Sequence, residues 1–244
     1  MEKRELKRTA IYLLRHETTR EPGQKGVFNG RKSNVDINKI GYLRAIKHLP
    51  EVLRDAKAKI SLIITSPRVR AKNTISELAR GVGRYYKVEV DKRLDVPLAG
   101  KDGKLEGVEY KSLKGIVEAA KIAYGPMNMK LGGGESKTDI ANRTYESIKD
   151  HSFDKNNELI DGDLVACSHG ENISALLRLA FDLNVRADKV PNGEPFRMYF
   201  DGETMELDKT FGWVAELDKK KLSRLSKKPK KVESFQEFAG MSYK

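Results

Sequence analysis

Three short clusters in this sequence carry side chains suited to gripping and attacking phosphorus: Arg15-His16, Arg68 with Arg70, and His169. A transferring phosphoryl group spreads negative charge over its equatorial oxygens, so a catalyst must supply fixed cationic or N–H donors and an in-line nucleophile. Arginine suits the first task, because its guanidinium fork matches two phosphate oxygens and stays charged. A neutral imidazole suits the second. Taken singly, each cluster has an ordinary structural explanation. Arg70 could be a helix-surface residue in an ion pair, His169 a hydrogen-bonded histidine under a loop, and Ser66-Pro67 a helix start. What joins the clusters is their position directly after apolar runs.

The run Ala10 to Leu14 follows a charged opening and reads as a short strand buried on both faces, which puts Arg15 and His16 at its carboxyl end. Ile60 to Ile64 reads as a second strand ending at Thr65-Ser66, Lys87 to Val90 as a third, and Asp163 to Cys167 as a fourth ending at Ser168-His169-Gly170. Ligands of an open parallel α/β sheet bind beyond the carboxyl ends of its strands. Parallel strands therefore bring the three clusters together, and a site explains that placement more simply than three coincidences.

Helical spacing fills the intervals. Ile40 to Ala56 carries Tyr42, Leu43, Ile46, Leu49 and Leu53 on one face, with Pro50 expected to kink or divide it. Val69 to Arg84 ends in a glycine pair, Gly81 and Gly83, and Tyr110 to Ala123 is a further candidate helix. Ser136 with Asp139 makes a capping-box-like entry to a helix running to about Asp150, and Ile173, Leu176, Leu177 and Ala180 mark the last helix. Phe196 to Tyr199 and Thr204 to Leu207, joined through Asp201-Gly202, form a closing hairpin. Residues 17–38 read as a long loop, and the glycine-punctuated stretch from Asp91 to Lys130 could cover a crevice. The expected architecture is a single α/β domain over 1–217, a doubly wound, mostly parallel sheet with helices on both faces. A small cap insertion over roughly 91–157 and a basic, flexible tail over 218–244 complete it.

Composition limits the function classes. With 244 residues, 39% hydrophobic and 34% charged, the chain can bury one sizeable core, and no apolar run nears the roughly 20 residues of a membrane helix. The five-residue N-terminal run is also short of the roughly 7–15 residues of a signal-peptide core. A lone cysteine, Cys167, excludes an intramolecular disulfide and a multi-cysteine zinc site, so a reducing, cytoplasmic setting is the default. Of the net charge of +12, residues 218–244 hold nine Lys or Arg against three Asp or Glu, or +6, leaving +6 for the other 217 residues. No aromatic-interleaved basic platform accompanies that charge, so nucleic acid is not the expected partner, and a modest positive field suits anionic substrates.

The same residues resemble the histidine phosphatase superfamily, which also includes the cofactor-dependent phosphoglycerate mutases. Leu14-Arg15-His16 with Thr18-Thr19 resembles its Leu-x-Arg-His-Gly-x-Thr signature, and Phe28-Asn29-Gly30 through Gly41 and Ala45 is similar to the segment that follows. Ser66 to Thr74 resembles Ser-x-x-x-Arg-Ala-x-x-Thr, which puts the second arginine at Arg70. Gly133-Gly134-Glu135-Ser136 with Arg143 is similar to the Gly-Glu-Ser helix entry, and Ser168-His169-Gly170 to the second histidine motif. Pro191-Asn192 before the final strands also fits, so the resemblance covers about residues 8–210. Two places depart from it. Glu17 stands where the signature has glycine, either replacing it or following its loss by a one-residue shift. The acid position, two residues after a leucine, is shifted, with Asp95 one place early in Leu94-Asp95-Val96.

The resemblance implies phosphate monoester hydrolysis through a phosphohistidine on His16, with Arg15, Arg70 and His169 holding oxygens and Asn29 and Gly170 on the phosphate side. Asp95 is the favoured proton donor, with Glu106, Glu109 and Glu171 as the other candidates. No metal or other cofactor is expected, since cationic side chains take the charge role. The expected partner is a small phosphorylated substrate or a phosphoprotein, without a membrane, and the oligomeric state is left open. A phosphoglycerate-type mutase and a catalytically weak phosphoanion-binding module stand as the alternatives.

Overall fold

In the computed structural model the described residues are 7–20, 30–31, 33–97, 107–109, 112, 114, 117, 125–130, 134–217 and 230–231. Strands β1 (Thr9–Arg15), β2 (Ile60–Thr65), β3 (Val88–Val90), β4 (Asp163–Ser168), β5 (Phe196–Phe200), β6 (Thr204–Leu207) and β7 (Lys230–Lys231) form one sheet in the order β3-β2-β4-β1-β5-β6-β7. β1, β4, β2 and β3 are mutually parallel, and β5, β6 and β7 add to the β1 edge in antiparallel fashion. The fold is the α/β class expected, with helices on both faces.

Alternation along β1 shows why its run is apolar throughout. Ile11 and Leu13 face a core built with α4 (Lys137–His151) and α5 (Gly170–Phe181), where Tyr145, Ile148, Ile173 and Leu176 meet them. Tyr12 and Leu14 face the opposite core, with Leu49 and Leu53 of α2 (Leu49–Asp55) and Ala71, Ile75 and Leu78 of α3 (Val69–Val82). A strand covered on both faces has no solvent side to mark with polar residues.

The helix expected over Ile40 to Ala56 is three pieces: α1 (Lys39–Leu43), a π-helical turn over Arg44–His48, and α2. Pro50 explains the wide turn, because it lacks an N–H and its ring would clash with the carbonyl of Ile46 in a regular helix. That carbonyl lies against Gly81 of α3, where a Cβ would come within 2.0 Å of it. Glycine at 81 thus lets α3 pack on the distorted helix. At its end α3 stops in Gly83, whose φ of 68° is the left-handed conformation that favours glycine.

Ser136 and Asp139 form the expected reciprocal capping box on α4. This helix belongs to the layer that covers the sheet, so the cap expected over 91–157 does not extend into 137–151. The candidate helix over Tyr110 to Ala123 falls almost wholly outside the described residues. One further correction concerns the tail. Lys230 and Lys231, expected in a flexible arm, pair with Met205 and Thr204 of β6. The open edge of the β5–β6 hairpin supplies unpaired backbone groups that even a lysine-rich segment can satisfy.

Candidate active site

The carboxyl ends of β1, β4 and β2 lie side by side, locked by backbone bonds. Arg15 is paired with Ser168 across the ladder, His16 N–H donates to the Ser168 carbonyl at 3.0 Å, and Ser66 N–H donates to the Cys167 carbonyl at 3.0 Å. His16, Ser66 and His169 are each the first residue past their strand. The two imidazoles stand edge to face with ring centroids 5.2 Å apart. Helices α3 and α5 both start just after this line, at Val69 and Gly170, so their amino ends add partial positive charge suited to an anion. Gly170 has no room for a side chain, since a Cβ would lie 2.5 Å from the Ala187 carbonyl oxygen and 3.5 Å from Arg15 Cζ.

Among the described residues, backbone carbonyls hold the two arginines and leave part of each guanidinium without a partner. Arg15 Nη1 donates to the Val190 carbonyl at 2.9 Å and the Ala187 carbonyl at 3.4 Å. Arg70, only 1% exposed, donates from Nη1 to the Ser33 carbonyl at 3.1 Å. The Nε of each is buried with no hydrogen-bond partner among the described residues. Burial lowers the Arg70 pKa below its ordinary value, with the charges of Arg68 and Arg15 acting the same way and Glu171 and Asp95 opposing.

The protonation of His16 follows from its partners. Its Nδ1 lies 2.7 Å from the Glu17 carbonyl oxygen, which can only accept, so Nδ1 carries the proton and Nε2 keeps its lone pair. Burial, and then the charges of Arg15 and Arg70, hold its pKa well below the ordinary 6.5, so the ring is neutral at neutral pH. His169 is pushed the same way by burial first, then by Arg70, His16, Arg15 and Arg143. Its Nε2 is 2.8 Å from Ser66 Oγ, which also accepts from Arg68 N–H at 3.3 Å. The other ring nitrogen of His169 is Nδ1. That nitrogen is buried and has no partner among the described residues.

Asp95 is tied to the same place through its backbone neighbours. Ser168 Oγ donates to the Leu94 carbonyl at 2.9 Å, and Asn172 Nδ2 to the Asp95 carbonyl at 3.2 Å. Its carboxylate accepts from Val96 N–H on Oδ1 and from Arg68 Nη2 on Oδ2, each at 2.8 Å. Arg31 lies 3.7 Å from Oδ2 and itself donates to Glu135 at 2.8 Å, and Arg143 donates to Glu135 at 2.6 Å. Alternating charges therefore run from Arg68 through Asp95, Arg31 and Glu135 to Arg143. Among the described residues, no group of three or more His, Cys, Asp or Glu side chains is placed to hold a metal ion, and no helix is long and apolar enough to cross a membrane.

Of the residues expected from the sequence, His16, Arg15, Arg70, His169 and Gly170 are brought together, with Asp95 alongside Arg68. Asn29 and Glu106 lie outside the described residues. Ser66, readable in the sequence as a helix start, is a partner of His169. Its place one residue past a strand, matching His16 and His169, is the signal available for it. Glu17, Arg44 and Asn192 surround the back of His16 and carry no such signal.

A family model described as histidine phosphatase superfamily (branch 1) matches residues 11–210. No curated protein sequence matches significantly. Among solved structures, a mycobacterial glucosyl-3-phosphoglycerate phosphatase is 22% identical with a TM-score of 0.58, covering 78% of this chain and 89% of its own. A phosphoglycerate mutase from Bacillus anthracis is 17% identical with a TM-score of 0.64, covering 82% and 92% respectively. Bacillus stearothermophilus YhfR is 21% identical with a TM-score of 0.59, covering 82% and 95%. At such identities these likenesses speak for the fold.

Proposed function

We propose that this chain, which belongs to the histidine phosphatase superfamily (branch 1), hydrolyses phosphate monoesters through a phosphohistidine on His16. The observation that carries the reading is the tautomer of His16, neutral with its proton on Nδ1 and its Nε2 lone pair beside His169, Arg15 and Arg70. Nε2 attacks phosphorus as the bond to the leaving oxygen breaks, and Asp95, an ion-paired carboxylate in the free site, must carry a proton when substrate is bound and gives it to that oxygen. The Nδ1–H bond to the Glu17 carbonyl stabilises the ring as it gains positive character. Arg15, Arg70, His169 and the N–H of Gly170 hold the equatorial oxygens. Water then attacks phosphorus, its proton passes to Asp95, the P–N bond breaks, and inorganic phosphate leaves with His16 restored.

The mutase among the similar structures supports a second reading, return of the phosphoryl group to a second substrate in place of water. Incubation with p-nitrophenyl phosphate tests the first. The expected results are release of p-nitrophenol, an acid-labile phosphate on wild-type protein, loss of both in His16→Ala, and no effect of EDTA. Turnover by His16→Ala, or strong inhibition by EDTA, overturns the proposal, and activity only in a coupled phosphoglycerate mutase assay favours the second reading.

A further inference from the structure

Behind His16 lies a charged cluster that the phosphoryl chemistry leaves unused. Glu17 is 0% exposed, at the position where the signature it resembles has glycine. Its Oε1 accepts from Arg44 Nε, and its Oε2 from Thr18 N–H, both at 3.3 Å. Arg44 Nη2 continues to Glu194 Oε1 at 2.7 Å and to the Asn192 carbonyl at 3.1 Å, and Asn192 Nδ2 donates to the His16 carbonyl at 2.7 Å. Hydrogen bonds thus form a closed ring from Glu17 through Arg44 and Asn192 back to His16.

The backbone inside this ring is held at every polar group. Gly193 N–H donates to the Arg15 carbonyl at 2.9 Å, His16 N–H to the Ser168 carbonyl at 3.0 Å, and Glu17 N–H to Thr74 Oγ1 at 2.9 Å. The Glu17–Thr18 peptide is gripped from both sides, its N–H by the Glu17 carboxylate and its C=O by His16 Nδ1 at 2.7 Å. The surrounding chain leaves room for this one side chain. At Gly193, with φ 68°, a Cβ would lie 1.8 Å from Glu17 Oε1. Burying a carboxylate is costly even when it is paired, and burial raises the Glu17 pKa against the pull of Arg44. A position that glycine could fill with no such cost calls for a geometric reason to keep the charge.

We propose that Glu17 is a positioning residue for the nucleophile: with Arg44 and Asn192 it fixes the peptide whose carbonyl holds His16 Nδ1–H, and so aims Nε2 at phosphorus. This rests on His16 being the nucleophile, and it predicts a defect in phosphoryl transfer and not in phosphate binding. The guanidinium groups of Arg15 and Arg70, the His169 ring and Gly170 are outside the ring. Misplacement of a reacting group by about 1 Å costs on the order of a hundredfold in rate.

The test uses the full-length chain, p-nitrophenyl phosphate as substrate and inorganic phosphate as a competing ligand. Arg44→Met and Asn192→Ala are each expected to lower kcat roughly ten- to a hundredfold and to leave the inhibition constant for phosphate within about twofold. Because both break one ring, the double variant is expected to be no slower than the slower single one. Adding Glu17→Gln to Arg44→Met is expected to recover part of the loss by removing the unpaired buried charge. Nitrogen-15 spectra of the histidines give a second readout, a single Nδ1–H form of His16 in the wild type and a mixture with the Nε2–H form in Arg44→Met. Wild-type kcat in both single variants, losses that multiply in the double variant, or parallel loss of kcat and phosphate affinity overturns the proposal. Asn192→Ala, at a loop position, carries the test if Arg44→Met does not fold. Failure of the underlying reading would look different, as turnover without phosphohistidine in the wild type itself.

Discussion

Arg70→Met separates the work Arg70 does for an anion from the work it does for the fold. Arg70 is 1% exposed, its one described protein bond is to the Ser33 carbonyl at 3.1 Å, and its Nε has no partner among the described residues. Removing one preorganised donor from a developing oxyanion costs about 2.7–4 kcal/mol, or a 10²–10³-fold fall in kcat. Stability should change far less. Apolar replacement of a whole buried ion pair is often neutral to stabilising by about 1–4 kcal/mol, and removal of the buried Arg70 charge has the same sign. Against this stands one hydrogen bond, at the low end of about 1.5–3 kcal/mol because half-buried Ser33 can turn to water. The lowered pKa of Arg70 has the same sense: the cation is disfavoured in the folded state at every pH below that pKa, neutral pH included. In a chain of this size 1 kcal/mol moves Tm by roughly 2–4 °C. Arg70→Met is therefore expected to melt within about 5 °C of the wild type, with kcat on p-nitrophenyl phosphate down 10²–10³-fold. Inorganic phosphate should raise the wild-type Tm and raise that of the variant much less. A variant that loses both rate and more than about 5 °C of Tm would mean that Arg70 chiefly anchors the Ser33 loop, and the anion-binding argument would fail.

His16 and His169 both have pKa values held below 6.5 by burial, so below pH 6.5 the unfolded chain takes up protons that the folded chain refuses. Stability is then expected to fall with falling pH from about 6.5 and to level off beneath the folded values, by up to about 1.4 kcal/mol per pH unit for each ring; a flat melting profile from pH 7 to 5, or one unchanged by His169→Gln, would refute this. Asp95→Asn is expected to slow alkyl phosphates by about 10²-fold or more and aryl phosphates, whose leaving oxygen needs little protonation, far less. Equal slowing of both classes, or selective slowing only in Glu171→Gln, would move the proton to another carboxyl. Truncation after Asp218 should leave turnover of small substrates unchanged, because Trp213 and Val214 complete the core before that point. The same truncation should weaken salt-sensitive binding to polyanions, since +6 of the net +12 lies beyond residue 217. Loss of folding would show that the β6–β7 pairing is required.

What could be read from the sequence and what could not divide along a physical line. β1, β2 and β4 are legible because burial on both faces demands consecutive apolar residues, as at Ile11 to Leu14, Leu62 to Ile64 and Leu164 to Cys167, and the first residue past each strand is then a candidate by position alone. The Ser136–Asp139 box and the Asp201-Gly202 turn are legible because their chemistry is local. Arg44–His48 reads as ordinary helix, and its widening becomes visible only when Pro50 and Gly81, 31 residues apart in sequence, are seen to share the Ile46 carbonyl. Lys230 and Lys231 look solvated because composition does not register an open strand edge waiting 26 residues earlier at Thr204 and Met205.

The back of the site is illegible for a deeper reason. His16, Arg15, Arg70 and His169 are recognisable because, in the chemistry proposed, their side chains meet the anion directly, so residue type alone advertises the task. Glu17, Arg44 and Asn192 act through backbone groups, and any residue able to place one acceptor or donor correctly could have served. Read alone, Glu17 is a departure from a glycine signature that weakens the case for His16. Read with Arg44 at 3.3 Å, Asn192 on the His16 carbonyl and Gly193 cleared of a Cβ, the departure accounts for three other residues at once. A side chain that breaks a local pattern while its neighbours are shaped around it belongs to the geometry of the site, and the place to look for its effect is the orientation of His16.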